Sequence, residues 1–297
     1  MKRLSVIWPV VMLVASGLWF FQSLNALPDS VSDMLRRSAP ALLVIIGLMM
    51  LIGRRVRFGN LVAILLTVVL LVGVGTVAYS RQQAIVRNDY ISPFETVIQG
   101  SVTSVRIILT TRQTDIEIVS AAAGNRTVSG NYTGSIESQV TVDYAVDGAI
   151  GTFNLSETQR NTFPALELVG RGKLTLSLPA GVTIEELTIK NEGGALTLDS
   201  STNAINKLSV ELANGDINAT FAEASGMIGD LRTGGGGITV TIPPTITARV
   251  TLKGGGAGSA QFDPNRFIED TNLVLQPVGG QAQIQLSLDA PGTLVVQ

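Results

Sequence analysis

Residues 187–242 read LTIKNEGGALTLDSSTNAINKLSVELANGDINATFAEASGMIGDLRTGGGGITVTI and repeat every 21 residues. Two sets of residues recur at this interval: Gly194, Gly215 and Gly236, and Leu196, Ile217 and Ile238. Each unit has a short alternating apolar strand, a Gly or Asn-Gly corner, and a second alternating strand. Because a unit this short cannot bury its own apolar face, it must stack on copies of itself. The stretch therefore predicts a β-solenoid or stacked-sheet fold with rungs of about 21 residues.

The strand pattern continues on both sides of the repeat. Alternating or β-branched runs at 102–107, 116–118 and 140–146 predict strands upstream, and Gly172 and Gly193 extend the 21-residue interval by about one unit. Downstream, Pro243-Pro244 interrupts the ladder before further strands, and the last strand, 294–296, is expected to cap the stack. Residues 96–297 are therefore predicted to be all-β. Whether 96–170 forms a separate subdomain or the first rungs of the same stack stays open.

Three apolar runs precede this part, at residues 4–21, 39–53 and 61–79. Their lengths predict about three transmembrane helices within a 1–79 membrane region, followed by a polar linker at 80–95. The first run also resembles a signal peptide, and the short second run has an interfacial or re-entrant segment as its alternative. Flanking arginines that reach the interface would let the second run span the bilayer.

Charge indicates the orientation of the chain. Seven of the 21 basic residues and two of the 23 acidic residues precede Ser80, so the remainder carries a net charge of −7. Basic residues at the start and in the short loop at 54–60 favour placing that side in the cytoplasm and the β-domain outside. An acidic β-domain argues against nucleic acid as a partner, because such binding depends on neutralising phosphates.

The composition excludes several kinds of chemistry. The chain has no Cys and no His. Disulfides, thiolate metal sites, Ser-His-Asp catalysis and ordinary zinc hydrolysis are therefore excluded.

Glycine-rich and Asx-rich turns are the first candidates for a binding site. The runs 234–237 and 254–256 lack the Lys-Ser/Thr and the following helix of a phosphate loop, so tight corners explain them better. The stretches 214–218 and 263–265 offer oxygen ligands for Ca²⁺, but they match no calcium motif, and turn chemistry is the simpler interpretation.

Acid pairs are the second kind of candidate. Asp115 with Glu117, and Asp143 with Asp147, place two carboxylates on one strand, as a glycosidase pair would require. Solvated strand faces explain them better, because the β-domain contains no Trp to bind a sugar ring. The sequence therefore predicts no catalytic residue, no cofactor-binding residue and no metal ligand, and the protein is not expected to be an enzyme or to need a cofactor.

Two stretches carry a resemblance to known families. Residues 37–55, RSAPALLVIIGLMMLIGRR, resemble the second helix of the small hairpins in bacterial cell-wall-antibiotic-response (Lia-type) membrane proteins. Residues 174–221, with LSLPAGV at 176–182, resemble the toast-rack and "putative adhesin" β-domains that accompany such hairpins. The resemblance implies envelope-stress sensing or adhesion at a bacterial cell envelope, and it brings no catalytic residue.

Two functional classes follow. The first is a membrane-anchored surface β-domain that acts as a non-catalytic, adhesin-like interaction module at the plasma membrane. Its partners would be the lipid bilayer that holds it and a cell-wall polysaccharide or another membrane protein, with outward Thr, Ser and Asn side chains as the contact surface. The alternative is a regulatory membrane protein of an envelope-stress response that signals through a partner kinase.

Overall fold

The computed structural model describes residues 79, 82–161, 168–222 and 226–297. The chain divides into two compact units, Met1–Ile85 with Asn161–Gly170, and Val86–Arg160 with Arg171–Gln297. All strands below belong to the second unit. The predicted spans at 4–21, 39–53 and 61–79 lie outside the described residues except for Tyr79, so they stay predictions. Within the part of the chain that is described, no helix has the length and apolar character needed to cross a bilayer.

The second unit is built from eighteen described strands. In chain order they are β1 (Tyr90–Val97), β2 (Ser104–Ser120), β3 (Thr127–Gly134), β4 (Ser138–Asp147), β5 (Ile150–Gln159), β6 (Gly172–Leu178), β7 (Thr183–Gly193), β8 (Leu196–Ser200), β9 (Ile205–Leu212), β10 (Ile217–Phe221), β11 (Met227–Thr233), β12 (Ile238–Thr241), β13 (Ala248–Lys253), β14 (Gln261–Phe262), β15 (Phe267–Glu269), β16 (Val274–Pro277), β17 (Ile284–Asp289) and β18 (Leu294–Val296). A 3-10 turn, Ala257–Ser259, precedes β14.

The strands form two sheets that share β2. They are here called the long-arm sheet and the short-arm sheet, after the longer and the shorter strand of each repeat. The long-arm sheet has the order β4-β5-β2-β7-β9-β11-β17-β13-β16-β15 and uses the first half of β2. The short-arm sheet has the order β1-β3-β6-β2-β8-β10-β12-β18-β14 and uses the second half of β2. Pairing is parallel through the middle of both sheets. The pairs β1–β3, β3–β6, β4–β5, β13–β16 and β16–β15 are antiparallel, whereas the last pair of the short-arm sheet, β18–β14, is parallel.

The 21-residue repeat is confirmed as a stack of rungs. Each rung consists of a long arm, a corner and a short arm: β7–β8, β9–β10 and β11–β12. Leu187 pairs with Leu208 in the long-arm sheet. Ile217 pairs with both Leu196 and Ile238 in the short-arm sheet. Equivalent residues of successive units therefore lie directly above one another.

The corner glycines are required by both backbone conformation and space. Gly194, Gly215 and Gly236 have φ values of 119°, 131° and 143°, a region that L-residues rarely adopt. A Cβ on Gly215 would collide with the carbonyl oxygen of Gly194, and a Cβ on Gly236 with that of Gly215. Each corner therefore rests directly on the backbone of the corner below.

Inward side chains of the two sheets form one apolar core. Alternation along each arm turns Leu, Ile and Val inward, so that Leu208, Val210, Ile217 and Leu231 are at most 2% exposed. In-register stacking repeats these residues from rung to rung. The core therefore runs the length of the stack.

The stack does not follow chain order at two places. The rung β17–β18 lies between β11–β12 and β13–β14, so 294–296 is inside the stack and the expectation that it caps the stack is wrong. Likewise β2 lies between β5–β6 and β7–β8. Gly172 pairs with Thr114 in the short-arm sheet, whereas Gly193 pairs with Gln113 in the long-arm sheet. Their 21-residue spacing therefore does not mark a rung.

The two ends of the stack contain the antiparallel pairs. The near end consists of β1, β3, β4 and β5, and the far end of β13 to β16. Because β2 pairs with β5 to β8, the described residues of 96–170 that form strands belong to the same stack. Strand β1 begins at Tyr90, inside the segment predicted as a linker. Pro93 fits there because β1 is an edge strand among the described residues, one of the few places in a sheet where proline is tolerated.

Candidate interaction surface

The outward face of the long-arm sheet is a flat array of small and charged side chains. One row crosses it in register and contains Thr188, Ser209, Asp230, Ser287 and Thr251, here called the hydroxyl row. A second row, two residues further along each strand, contains Lys190, Glu211, Arg232, Asp289 and Lys253, here called the charged row. Neighbouring members of a row lie about 4.8 Å apart along the stack, since that is the strand spacing.

Charge alternates along the charged row as plus, minus, plus, minus, plus. In a parallel in-register stack a single sign would place like charges on adjacent strands, which is destabilising. Among the described residues the one ion pair that joins two members is Arg232 Nε to Asp289 Oδ2 at 3.6 Å, and 64% of the Arg232 side chain is exposed. Most of the donors and acceptors in this row are therefore directed to solvent.

The opposite margin of the same face is more tightly paired. Arg106 contacts Glu185 at 3.0 Å, and Lys207 contacts Glu186 at 2.7 Å. The hydrogen bond from Lys207 lowers the pKa of the Glu186 carboxyl below its ordinary value, so this acid is ionised at neutral pH. Ile228 lies in the same row and is 60% exposed. This margin therefore offers fewer unpaired charges than the charged row does.

The outward face of the short-arm sheet is also polar but carries less charge. One row joins Thr175, Glu117, Thr197, Asn218 and Thr239 in register. Lys173 lies beside this row, two residues before Thr175 on β6. Its Nζ contacts Glu117 Oε2 at 2.8 Å. The predicted outward Thr, Ser and Asn residues thus form ladders on both faces of the stack.

The two acid pairs considered as glycosidase carboxylates lie on outward strand faces. Asp115 accepts hydrogen bonds from Arg171 at 3.1 Å and from the Ala195 N–H at 2.9 Å, which fastens the corner of the next rung. Glu117 is paired with Lys173. Asp143 and Asp147 lie on the exposed side of edge strand β4. Partners or solvent therefore surround each acid.

The glycine-rich and Asx-rich stretches are corners and turns. Residues 234–237 form the corner between β11 and β12, and 254–256 lie between β13 and β14. Asp216 Oδ1 accepts the Gly237 N–H at 2.8 Å, on the next rung. Asp263 Oδ1 accepts the Asn265 N–H at 2.9 Å within its own turn. Among the described residues no three His, Cys, Asp or Glu side chains converge as a metal site would require.

One buried polar cluster was not predicted. Glu157 on β5 is 6% exposed and accepts from Tyr132 Oη at 2.7 Å, Thr114 Oγ1 at 2.7 Å, Ser138 Oγ at 3.0 Å and the Arg112 N–H at 2.9 Å. Burial, and then the Glu157 charge, raise the pKa of the Tyr132 hydroxyl above its ordinary value. The cluster joins β2, β3, β4 and β5 in the interior, so its role is structural.

The charged row was also missed from the sequence, although part of its signal was present. Lys190, Glu211 and Arg232 are separated by the same 21 residues as the glycines. Asp289 and Lys253 continue the row only because β17 and β13 follow β11 in the stack. That order has no local sequence signal.

The fold defined by these two sheets is an all-β domain of stacked, two-armed rungs. A solved structure described as a putative cell adhesion protein from Clostridium sporogenes is similar to this chain with a TM-score of 0.57 and 15% sequence identity. The match covers 70% of this chain and 98% of that one. At this identity the similarity establishes a shared fold and nothing about a shared activity.

Two further solved structures match more distantly. Structures described as putative adhesins from Bacteroides fragilis and Parabacteroides merdae are each 12% identical, cover 72% of this chain, and are themselves covered to 100% and 99%. Their TM-scores of 0.27 and 0.17 are too low to carry an argument. No protein-family model matches this chain, and no curated protein matches it significantly.

Proposed function

We propose that this protein is a membrane-anchored, non-catalytic interaction module of the adhesin-like kind. The charged row and the hydroxyl row on the long-arm sheet form its contact surface. The partner is a cell-wall polysaccharide or another membrane protein with polar and charged groups of complementary spacing. The apolar runs at 4–21, 39–53 and 61–79 hold it in the plasma membrane, with the β-domain on the outer side.

The observation that carries this proposal is the unpaired state of most of the charged row. Lys190, Glu211 and Lys253 are exposed, and within the described residues none of them has an ion-pair partner. Exposed charges contribute little to the stability of a fold, whereas these are displayed on a sheet at the fixed spacing of its strands. The shared fold with a protein described as a putative cell adhesion protein supports the same interpretation.

The position of the domain is tested by cysteine labelling, since the chain has no native Cys. Single cysteines replace the exposed Ser101 and Ser259, and intact cells are treated with a membrane-impermeant maleimide. Labelling of both variants in intact cells is expected. Labelling that requires lysis would place the domain in the cytoplasm, and the envelope-stress regulator with a partner kinase would then replace the adhesin-like module.

The contact surface is tested by matched charge changes. The triple variant Lys190→Gln, Arg232→Gln and Lys253→Gln removes three positive charges from the long-arm face. The control variant Asn218→Glu, Thr241→Glu and Gln261→Glu changes the charge equally at exposed positions of the short-arm face that do not pair with one another. Binding to purified cell walls and to chemically cross-linked membrane partners is measured for both. At least a tenfold loss in the first variant only is expected, as removing several contacts of about 0.5–1 kcal/mol each would give. Equal losses in both variants would contradict the proposed surface.

A further inference from the structure

Among the described residues the stack ends in four edge strands, and three of them carry a feature that limits further strand pairing. At the far end, β14 and β15 have only two and three residues. At the near end, β1 is interrupted by Pro93, which has no N–H to donate. Strand β4 differs, because it has ten residues, no proline, and a pairing with β5 that runs without a bulge. A long, regular edge is a template for an additional strand.

The backbone of β4 leaves alternate residues without a partner on the side away from β5. Arg160 donates its N–H to the Glu137 carbonyl at 2.8 Å, and these two residues lie opposite each other one step beyond the β4–β5 register. Hydrogen-bonded pairs therefore recur at every second residue from there, such as Thr141 with Ser156. The residues between them direct N–H and C=O to the free side of β4: Val140, Val142, Tyr144 and Val146. Within the described part of the chain no strand pairs with this side, here called the open edge.

The open edge lies where the two sheets differ in extent. Strands β5 and β6 both pair with β2, and the next strands outward are β4 on β5 and β3 on β6. The described short-arm sheet then continues with β1 on β3, whereas the described long-arm sheet ends at β4. Around this step, five side chains that pack on the core are only partly buried: Tyr90, Phe94, Val140, Val142 and Tyr144. A strand on the open edge would cover them and would complete the level that β1 begins.

Charge determines which kind of strand the open edge favours. No Lys or Arg lies between Arg126 and Arg160, although this stretch contains four acids. Two of them, Asp143 and Asp147, are exposed on the outward face of β4. A second copy of this chain would bring two acidic edges together, which is unfavourable. A strand with basic side chains on its outward face is attracted instead, so the charges on β4 select against self-pairing and for a basic partner.

We propose that the open edge of β4 binds an extended, basic segment of a partner protein as an additional antiparallel strand of the long-arm sheet. In such a pair, Asp143 and Asp147 occupy non-hydrogen-bonded positions, where opposite side chains lie closest, so each faces a Lys or Arg. The partner residues opposite Tyr144 and Val146 point inward and are apolar. The recognised pattern is therefore basic-apolar-any-apolar-basic. This interface depends neither on the membrane anchoring nor on the charged row.

Peptide binding to the purified full-length chain tests the proposal. The probe is a fluorescent peptide in which Val alternates with Lys or Thr, with its two lysines at the spacing of Asp143 and Asp147. Fluorescence anisotropy should show binding at least about tenfold tighter than for the same peptide with Glu in place of Lys, because two favourable cross-strand pairs become two repulsive ones. Equal affinity for the two peptides would overturn the proposal.

Backbone methylation of the lysine peptide distinguishes strand addition from a loose charge contact. In the antiparallel arrangement, the valine N–H groups of the peptide point at β4, and its lysine and threonine N–H groups point to solvent. N-methylation of the valines should therefore abolish binding, whereas N-methylation of the lysines and threonines should have little effect. Equal effects of the two modifications would rule out an added strand.

Hydrogen exchange of the full-length chain locates the bound peptide. Exchange at Val142 and Tyr144, whose N–H groups face the open edge, should be fast in the chain alone and at least about tenfold slower with the lysine peptide. Exchange in β14 and β15 should not change. Slow exchange at Val142 and Tyr144 without peptide would mean that the chain itself or a second copy already fills this edge, and the proposal would then be wrong.

Charge reversal on β4 provides a matched pair of variants. Asp143→Lys with Asp147→Lys should reverse the preference, so that the glutamate peptide binds at least about tenfold tighter than the lysine peptide. Glu211→Lys with Asp230→Lys makes the same change in charge at exposed positions of the middle rungs and should leave the preference for lysine unchanged. Loss of the preference in the second variant and not in the first would place the peptide on the middle rungs and overturn the open edge as its site.

Discussion

The middle rungs and the near end share the same two sheets but are stabilised in different ways. In β7 to β12, stabilising residues recur every 21 positions: an apolar row in each arm and a glycine at each corner. At the near end, pairing becomes antiparallel, and one cluster around Glu157 fastens four strands together. The middle therefore relies on repetition, whereas the near end relies on one specific set of hydrogen bonds.

This difference follows from what each region has as a neighbour. A middle rung has a similar rung above and below it, so repeated strand pairing and a repeated apolar pattern hold it in register. The near end has a neighbour on one side and ends in the edge strands β1 and β4 among the described residues. A buried carboxylate with four donors fixes one arrangement, because any other would leave those donors unpaired. Mutations should therefore act collectively in the middle and locally at the end.

The largest effect is expected from Ile217→Asp in the middle. Ile217 is fully buried and stacks between Leu196 and Ile238. A carboxylate there would cost well over about 5 kcal/mol, which is comparable to the whole stability of a typical domain. We expect circular dichroism of Ile217→Asp to show no cooperative melting of the β-sheet. Ile217→Val should lower the free energy of unfolding by only about 1 kcal/mol. An Ile217→Asp chain that melts like the wild type would contradict the register of the stack.

The corner glycines should show the next largest effect. Gly215→Ala is expected to cost roughly 4 kcal/mol, because it combines strain at positive φ with a clash against the Gly194 carbonyl. Gly148→Ala is the control, since Gly148 also has positive φ (60°) but has open space where a Cβ would lie. Strain alone should cost about 1 to 2 kcal/mol there. Urea unfolding of both variants measures the difference, and equal losses would mean that close corner stacking is not what requires glycine.

At the near end, Glu157→Leu should produce a loss confined to one region. Removing the carboxylate leaves the Arg112 N–H and the Thr114 and Tyr132 hydroxyls without their acceptor, at a cost of about 3 kcal/mol. Hydrogen exchange should accelerate in β1, β3 and β4 but not in β9 to β12, because stability in stacked structures is local. Glu157→Gln retains one acceptor and should lose about 1 kcal/mol. Uniform acceleration throughout the stack would mean that the end and the middle unfold as one unit.

Alkaline pH should weaken the near end through Tyr132. Its pKa is raised in the folded state by burial and then by Glu157, so the unfolded chain releases the tyrosine proton first as pH rises. The stabilising contribution is complete below about pH 10, the ordinary tyrosine value, and falls by about 1.4 kcal/mol per pH unit above it. Tyr132→Phe should remove this slope, and Tyr90→Phe should retain it. Urea unfolding between about pH 9 and pH 11 provides the measurement; an unchanged slope in Tyr132→Phe would contradict the assignment.

The sequence predicted the regular middle better than the ends for a physical reason. Alternation and the glycine interval are local, so the arms and corners of residues 187–242 could be derived directly. The insertion of β17–β18 between β11–β12 and β13–β14 could not, because parallel pairing joins residues far apart in the chain and leaves no nearby signal. Pro243-Pro244 indicated where sequential stacking ends but not which rung follows. Glu157 was missed because a single acid on an alternating strand resembles a solvated one until Tyr132 and Thr114 are seen beside it.

The smallest effect on stability is expected from Arg232→Ala in the charged row. Its pair with Asp289 is 3.6 Å long and mostly exposed, so its loss should cost no more than about 0.5 kcal/mol. Thermal unfolding should therefore be nearly unchanged, with Arg266→Ala as a contrast, because Arg266 donates to the Ile242 and Pro243 carbonyls at 2.9 Å at the far end. A row that can be altered without loss of stability is free to be selected for binding. If Arg232→Ala destabilised the fold as much as Arg266→Ala, the row would be part of the scaffold, and the contact surface would have to be sought on the short-arm face.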